Sequence, residues 1–283
     1  MQTIEITHPD DPRIAGFRDI RDRDLAMRDG LFVAEGKVVL TALLRARRFA
    51  VHSLLVLDRR LPGLADTLAL LDADTPVHVA TQTVLDAIAG FHLHRGVLAL
   101  VHRRVDEDAA QLLATMPADA VVPVLVGIAN HDNVGAIFRN AAAFEAAGIL
   151  LDGSCCDPLY RKAIRVSVGA ALRVPFARCG TVERTVQALA DSGFRQFALS
   201  PSGTQRLGDI APGGRVALYL GTEGEGLPPA LMSRMETVRI PMSADFDSLN
   251  VAAASAIALS HFYAGLHPPA EAWREAPSRV QPG

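Results

Sequence analysis

With 283 residues, 49% of them hydrophobic and 21% charged, the chain can fold as two units and is too apolar for an extended disordered protein. A formal net charge of −3 gives no global signature of a nucleic-acid partner. No window reaches the roughly 18 uninterrupted apolar residues of a membrane span.

The N-terminal "MQTIEITHPDDPR" has no basic flank followed by an apolar run, so no signal peptide is expected and the chain reads as cytoplasmic. Next, "FRDIRDRDLAMRDG" interleaves Arg18, Arg21, Arg23 and Arg28 with aspartates, a mixture that favours a solvated helix face over a phosphate-tracking patch. From Gly36 to Leu57 there is no acid, while Lys37, Arg45, Arg47 and Arg48 are all present. "LFVAEGKVVLTALLRARR" predicts a strand or turn entering a helix, with Val38, Leu40, Leu43 and Leu44 as its apolar positions. "HSLLVLD", "PVHVAT" and "RGVLALVHR" read as strands, which makes residues 1–105 a small α/β unit. The acidic stretch 106–120 is read as a linker.

From Val121 the alternation sharpens. "VVPVLVGI" predicts a buried strand, followed by a helix to about Ala147 with Gly148 as its C′ residue and then the strand "ILLD". Asp157 and Pro158 look like the cap of a helix over "PLYRKAIRVSVGAALR". A helix over "TVERTVQALADS", strands "FRQFALS", "RVALYLG" and "TVRIPM", a short helix "GLPPALMSRM" and a long final helix from Ser248 to Leu266 complete the unit 121–267. Residues 268–283 form a proline-rich tail, expected to be loose. The fold class is α/β with a mainly parallel sheet. Cys155, Cys156 and Cys179 make neither a disulfide framework nor a zinc spacing, so they are read as small buried residues and no metal is expected.

In open parallel sheets, ligands sit beyond the carboxyl ends of the strands. Polar and glycine residues gather there: Asn130 to Asn133, Ser200 to Gly203, "GTEGEG" at 221–226, and Ser243 to Asn250. The spacing of Gly221, Gly224 and Gly226 is neither a dinucleotide turn nor a P-loop, and the plain reading is a turn needing positive φ. Glu223 and Glu225 argue against phosphate and suit a cationic ligand or an arginine partner. Arg139, in an otherwise apolar helix, would then be satisfied by Glu223. Asn133 and Ser248 could cap their helices, with Asn250 in the first turn of the last one.

"NVGAIFRNAAAFEAAGILLD", "LYLGTEGEGLP" and "IPMSADFDSLNVAAASAIALSHF" resemble the three ordered motifs of the SpoU (TrmH-type) RNA methyltransferases of the SPOUT superfamily, over roughly Val121 to Leu266. "FVAEGKVVLTALL" and "FHLHRGVLAL" resemble, more weakly, that family's L30e-like RNA-binding extension. The resemblance implies S-adenosyl-L-methionine as cofactor, methylation of a ribose 2′-hydroxyl in structured rRNA or tRNA, a deep trefoil knot, and a homodimer with its sites at the interface. It assigns Asn133, Arg139, Glu223, Ser248 and Asn250 as the catalytic polar set. Leu199, Ser200, Gly221, Glu223, Gly226, Ile240, Met242 and Leu249 are the expected cofactor contacts. Thr222 and Glu145 depart from the family's usual residues, and neither belongs to the polar set.

A sulfonium methyl is already activated, so the chain need only align the hydroxyl and assist loss of its proton. A guanidinium gives up its proton only in strong base, so Arg139 suits positioning and charge stabilisation better than the role of a base. RNA contacts are expected from Arg18, Arg21, Lys37, Arg45, Arg48 and Arg95, with Arg161, Lys162 and Arg165 nearer the site. His92 and His94 favour structural roles. The alternative is a catalytically silent SPOUT-fold RNA-binding protein acting in ribosome assembly, against which the retained polar set counts. A nucleotide-dependent oxidoreductase would need GxGxxG after the first strand, which is absent.

Overall fold

A computed structural model describes residues 3–18, 30–89, 95–104, 107–243 and 245–267. Arg21, Arg23, Arg28, His92, His94 and the tail from 268 lie outside the described residues.

The first sheet comprises β1 (Thr3–Ile6), β2 (Leu31–Glu35), β3 (Val51–Leu57), β4 (Val77–Ala80) and β5 (Val97–His102), in the order β1-β4-β3-β5-β2. β4 is parallel to β1 and β3, whereas β5 is antiparallel to β2 and β3. Helices α1 (Lys37–Ala46), α2 (Ala65–Leu68) and α3 (Gln82–Ala89) connect its strands. α1 buries Val39, Leu40, Leu43 and Leu44. Val38, expected on that face, is instead 62% exposed, because the stripe that fits β2 is rotated by one residue.

The second sheet holds β6 (Ala120–Leu125), β7 (Ile149–Leu151), β8 (Phe176–Arg178), β9 (Arg195–Leu199), β10 (Gln205–Arg206), β11 (Arg215–Leu220) and β12 (Glu236–Arg239). Its order is β10-β12-β9-β11-β6-β7-β8 and every described pair is parallel. β6 is buried throughout and β11 from its second residue, as parallel strands covered on both faces must be. Around them lie α4 (Ala109–Ala114), α5 (His131–Ala143), α6 (Arg161–Val166), α7 (Val182–Asp191), α8 (Pro229–Met232) and α9 (Val251–Leu266).

Several expected boundaries move. The cap of α5 is Asn130, whose Oδ1 accepts from Asp132 N at 2.9 Å, and not Asn133. α5 ends at Ala143, where Glu145 takes the left-handed conformation (φ 51) and Ala146 N donates to Ala141 O at 2.9 Å. This is a Schellman closure, so Glu145 and not Gly148 holds the C′ place. Asp157 Oδ1 accepts from Leu159 N at 2.9 Å and opens a turn; the helix begins only at Arg161. It stops at Val166, since Val168 (φ 55) and Gly169 (φ 82) are both left-handed, and a 3-10 turn over Ala170–Leu172 leads to β8, a strand not expected from the sequence.

One apolar cluster runs from Phe32, Leu40 and Val56 of the first sheet and its helix to Ile137, Leu172 and Phe176 of the second unit, so the two sheets share a core. Polar contacts reinforce the seam. Arg103 pairs with Asp157, Arg161 Nη1 lies 3.8 Å from Glu35, and Arg48 Nη1 donates to Val174 O at 2.8 Å. Arg48 also lies over the rings of Phe49 and Phe176, with Glu107 3.6 Å away, and burial lowers the pKa of its guanidinium. Arg48→Ala is therefore expected to destabilise the fold by about 2 kcal/mol, through lost packing and an unsatisfied carbonyl. Urea denaturation would check this; a shift below about 0.5 kcal/mol would mean that the residue is not part of the seam.

Burial pushes the Cys155 thiol up to about 12 and Cys156 up to about 11, which marks them as inert packing groups at neutral pH. Among the described residues, no helix is long and apolar enough to cross a membrane, and no cluster of His, Cys, Asp or Glu has the geometry to hold a metal.

Candidate cofactor pocket

β9, β11 and β12 are neighbours or next-neighbours in the parallel sheet, so their carboxyl ends open on one side. The segments that follow them, with the approach to α9, wall a cavity of about 560 Å³. That is within the usual range for a small-molecule site. All eight residues expected to contact a cofactor line it: Leu199, Ser200, Gly221, Glu223, Gly226, Ile240, Met242 and Leu249. Ser248 and Asn250, expected in the catalytic set, line it too. The charged lining residues are Glu223, Glu225 and Asp247, with no cation among them.

The glycine loop owes its shape to three different demands. Thr222 N donates to Gly226 O at 3.2 Å and Gly226 N returns to Thr222 O at 3.1 Å, which closes a tight hairpin. Gly224 (φ 96) and Gly226 (φ 71) occupy left-handed conformations, as the plain reading of the glycines required. Gly221 is needed for space: a Cβ there would lie 2.3 Å from the Gly226 carbonyl carbon.

Asn250 organises the polar edge. It, and not Ser248, is the N-cap of α9: its Oδ1 accepts from Ala252 N at 2.9 Å and from Ala253 N at 3.2 Å. With the oxygen so engaged, its amide nitrogen donates to Glu223 Oε1 at 2.6 Å and Asn133 Oδ1 at 3.1 Å. Asn133 is buried at the start of α5, whereas Glu223 is exposed. Three of the five expected catalytic residues are thus joined by one side chain. Ser248 is exposed at the rim. Asn250→Ala removes the cap and both bonds, so a stability loss of about 1 kcal/mol together with weaker ligand binding is expected. Thermal unfolding and calorimetric titration of the same variant check the pair; unchanged binding would separate the cap from the pocket.

Arg139 does not meet its expected partner. It is exposed on α5 and makes no ion pair or side-chain hydrogen bond among the described residues, and the Glu223 carboxylate takes Asn250 instead. The expectation of a buried cation thus fails for a simple reason: the polar face of the helix turns outward at that position. The neighbouring Asn140 points the other way, and its amide donates to Ala252 O at 2.8 Å and Ser255 Oγ at 2.9 Å on α9. Nothing in its spacing set Asn140 apart as the brace between the two site helices.

The basic residues divide. Arg18 folds back on Pro9 O and Asp11 O, and Arg48 is held in the seam. Arg95 and Arg161 lie 3.9 and 3.8 Å from Glu35, and Lys162 bonds Asp132 at 2.7 Å. Lys37 donates to Gly63 O but is exposed. Arg45 and Arg165 are exposed with no ion pair or side-chain hydrogen bond among the described residues.

Residues 120–260 match the model of the SpoU rRNA Methylase family. An uncharacterized tRNA/rRNA methyltransferase of Mycobacterium tuberculosis is 41% identical over 264 residues, which covers 90% of this chain and 89% of that protein. Among solved structures, an AdoMet-bound rRNA methyltransferase from Sinorhizobium meliloti superposes with a TM-score of 0.78 at 25% identity, over 95% of this chain and all of the other. An RNA 2′-O ribose methyltransferase shares the fold, with a TM-score of 0.76 at 24% identity over 93% of this chain and 99% of that one.

Proposed function

The chain belongs to the SpoU rRNA methylase family, and from that premise we propose that it transfers a methyl group from S-adenosyl-L-methionine to a ribose 2′-hydroxyl in structured rRNA or tRNA. The observation that carries the reading is the pocket, in which acids alone supply the charge and small or apolar residues the walls. A cationic, amphipathic cofactor fits such a lining and a phosphorylated one does not. Leu199, Ile240, Met242 and Leu249 would hold its apolar parts, and the backbone around Gly221 and Gly226 its polar edges. When bound, the cofactor supplies an electrophilic methyl group that needs no metal.

The residues of the chain do the rest. Asn250 holds Glu223 and Asn133 in place, and the fixed sense of its amide keeps a carboxylate at the pocket mouth. Arg139 steadies negative charge on the ribose oxygen and fixes its approach. Since that side chain is exposed and has no ion pair or side-chain hydrogen bond among the described residues, it acts in the pocket of a second copy, in a homodimer. α9 supports this arrangement: it is rich in alanine and aliphatic residues, and Ala253 and Ile257 are exposed beside the α5 contact, as on a helix meant to be covered. The first sheet and its helices serve as an L30e-like RNA-binding unit (residues 1–105), joined through 106–120 to a knotted catalytic unit (121–267), with the reaction taking place in the cytoplasm.

The test is transfer of labelled methyl from S-adenosylmethionine to RNA from a strain lacking the gene, followed by digestion to nucleosides. Label on a 2′-O-methylnucleoside is the expected result. Label on a base would overturn the ribose assignment. Absence of transfer by protein that binds the cofactor would favour a silent RNA-binding relative.

A further inference from the structure

Away from the pocket, a second cavity opens where α1 of the first unit faces the turn after α6 and the residues that follow it. This crevice of about 770 Å³ has Lys37, Val38, Thr41, Arg45, Val168 and Arg173 on its walls, and no acid among its lining residues. Lys37, Thr41 and Arg45 follow one another at four-residue steps along one face of α1, a row of roughly 12 Å. Arg173 stands on the opposite wall. Both arginines are exposed and make no ion pair or side-chain hydrogen bond among the described residues. Cations normally find acids on a surface with as many acids as this one, so two arginines left unpaired on opposite walls of a crevice are available to an external anion, with the exposed Lys37, whose ammonium donates to Gly63 O, beside them.

The floor is equally specific. Val38 is 62% exposed and Val168 41% exposed, although both are large aliphatic residues. Val168 is also held at φ 55, a left-handed conformation that strains a β-branched residue. The strain is maintained by the seam: a Cβ on the adjacent Gly169 would lie 2.9 Å from the Ala42 Cβ, so the turn is pressed against α1. The crevice therefore has fixed walls, apolar surface at its base and cations at its rims.

We propose that this crevice is a clamp for a phosphodiester stretch of the RNA substrate, gripped from both units at once by Lys37, Arg45 and Arg173, with a sugar or base edge resting on Val38 and Val168. The assignment rests on the reading of the protein as an RNA methyltransferase and adds to it a place where RNA fixes its register relative to the pocket. Arg173 lies on the methyltransferase side, outside the basic runs of the sequence. Phosphate contacts of this kind position a substrate without reading its sequence, so the clamp is expected to be tolerant of base identity.

The experiment uses the full chain and a fluorescein-labelled RNA hairpin, titrated by anisotropy between about 50 and 200 mM KCl. Three proteins are compared: the wild type, Arg45→Gln/Arg173→Gln, and the charge-matched control Arg184→Gln/Arg234→Gln, whose arginines are exposed on or beside α7 and α8. The crevice variant is expected to lose about ten-fold in affinity at the higher salt, and its log–log salt slope should fall by roughly 1.4 to 1.8, the share of two phosphate contacts. The control should change less than about two-fold. Equal losses in both variants would show that net charge and not the crevice matters, and would overturn the clamp. Unchanged binding in the crevice variant would also overturn it and leave the crevice to a protein partner or a small anion. Calorimetric binding of S-adenosylmethionine is measured on the same samples. Intact cofactor binding and methyl transfer by the wild type, with no crevice effect, would sink the clamp alone. Absence of transfer with a crevice effect would sink the functional reading and leave the clamp standing.

Discussion

Arg139→Ala is expected to lower methyl transfer by about 10²- to 10³-fold while leaving the fold and cofactor affinity nearly unchanged. The argument rests on what the side chain lacks. It is exposed, and no carboxylate or carbonyl among the described residues depends on it, so its removal should cost less than about 0.5 kcal/mol of stability. It is also absent from the lining of the cofactor pocket of its own chain. The loss should therefore appear in kcat, with the calorimetric cofactor affinity within about two-fold of wild type. Mixing supplies a sharper version. An Arg139→Ala chain combined one to one with a chain defective in its pocket should recover roughly a quarter of wild-type activity, because half of randomly mixed dimers are mixed and each keeps one intact site. No recovery after verified exchange of chains would place the arginine in its own pocket or outside the reaction.

Gly221→Ala is expected to weaken cofactor binding by at least about ten-fold and to destabilise the chain by about 1–3 kcal/mol. The added methyl carbon would sit 2.3 Å from Gly226 C, 2.5 Å from Gly226 O and 2.5 Å from Leu227 N, all backbone atoms that no rotamer change can move. The strand end and the returning loop must part, and the wall they form parts with them. Gly224 supplies the contrast. It has open space around its Cβ position but φ 96, so alanine there should cost about 1 kcal/mol of backbone strain and little affinity. Titration calorimetry with both variants distinguishes the two demands. Wild-type affinity in Gly221→Ala would mean that the loop is not a wall of the site.

The sequence was informative where one kind of signal sufficed. Buried parallel strands such as β6, and β11 from Val216 on, are apolar runs, and the pocket was legible because glycine and polar residues follow β9, β11 and β12 in the chain. Short strands were not legible: β8 has three residues and β10 two, too few to show a period. Caps were misplaced by two or three positions, because "ANHDN" and "SLN" each offer several competent side chains and only the tertiary contact decides among them. Asn133 is drawn inward by Asn250, which leaves Asn130 to cap. The largest miss was the Arg139–Glu223 pair. A linear sequence does not reveal that Arg139 faces outward from the helix while Glu223 already has Asn250 as its partner. The same limit hid the crevice, since Arg45 and Arg173 are far apart in the chain and meet only across the seam between the two units.

The double duty of Asn250 has a dynamic consequence. Its oxygen tethers the first free amides of α9 while its nitrogen faces the pocket, so fraying of the helix start and loosening of the pocket mouth are one event. A ligand that binds only the closed form must then slow hydrogen–deuterium exchange at Ala252 and Ala253, by up to about 100-fold at a ligand concentration of about 100 times Kd. The backbone of the last helix would thus act as a built-in reporter of whether the site is filled, readable without any substrate RNA.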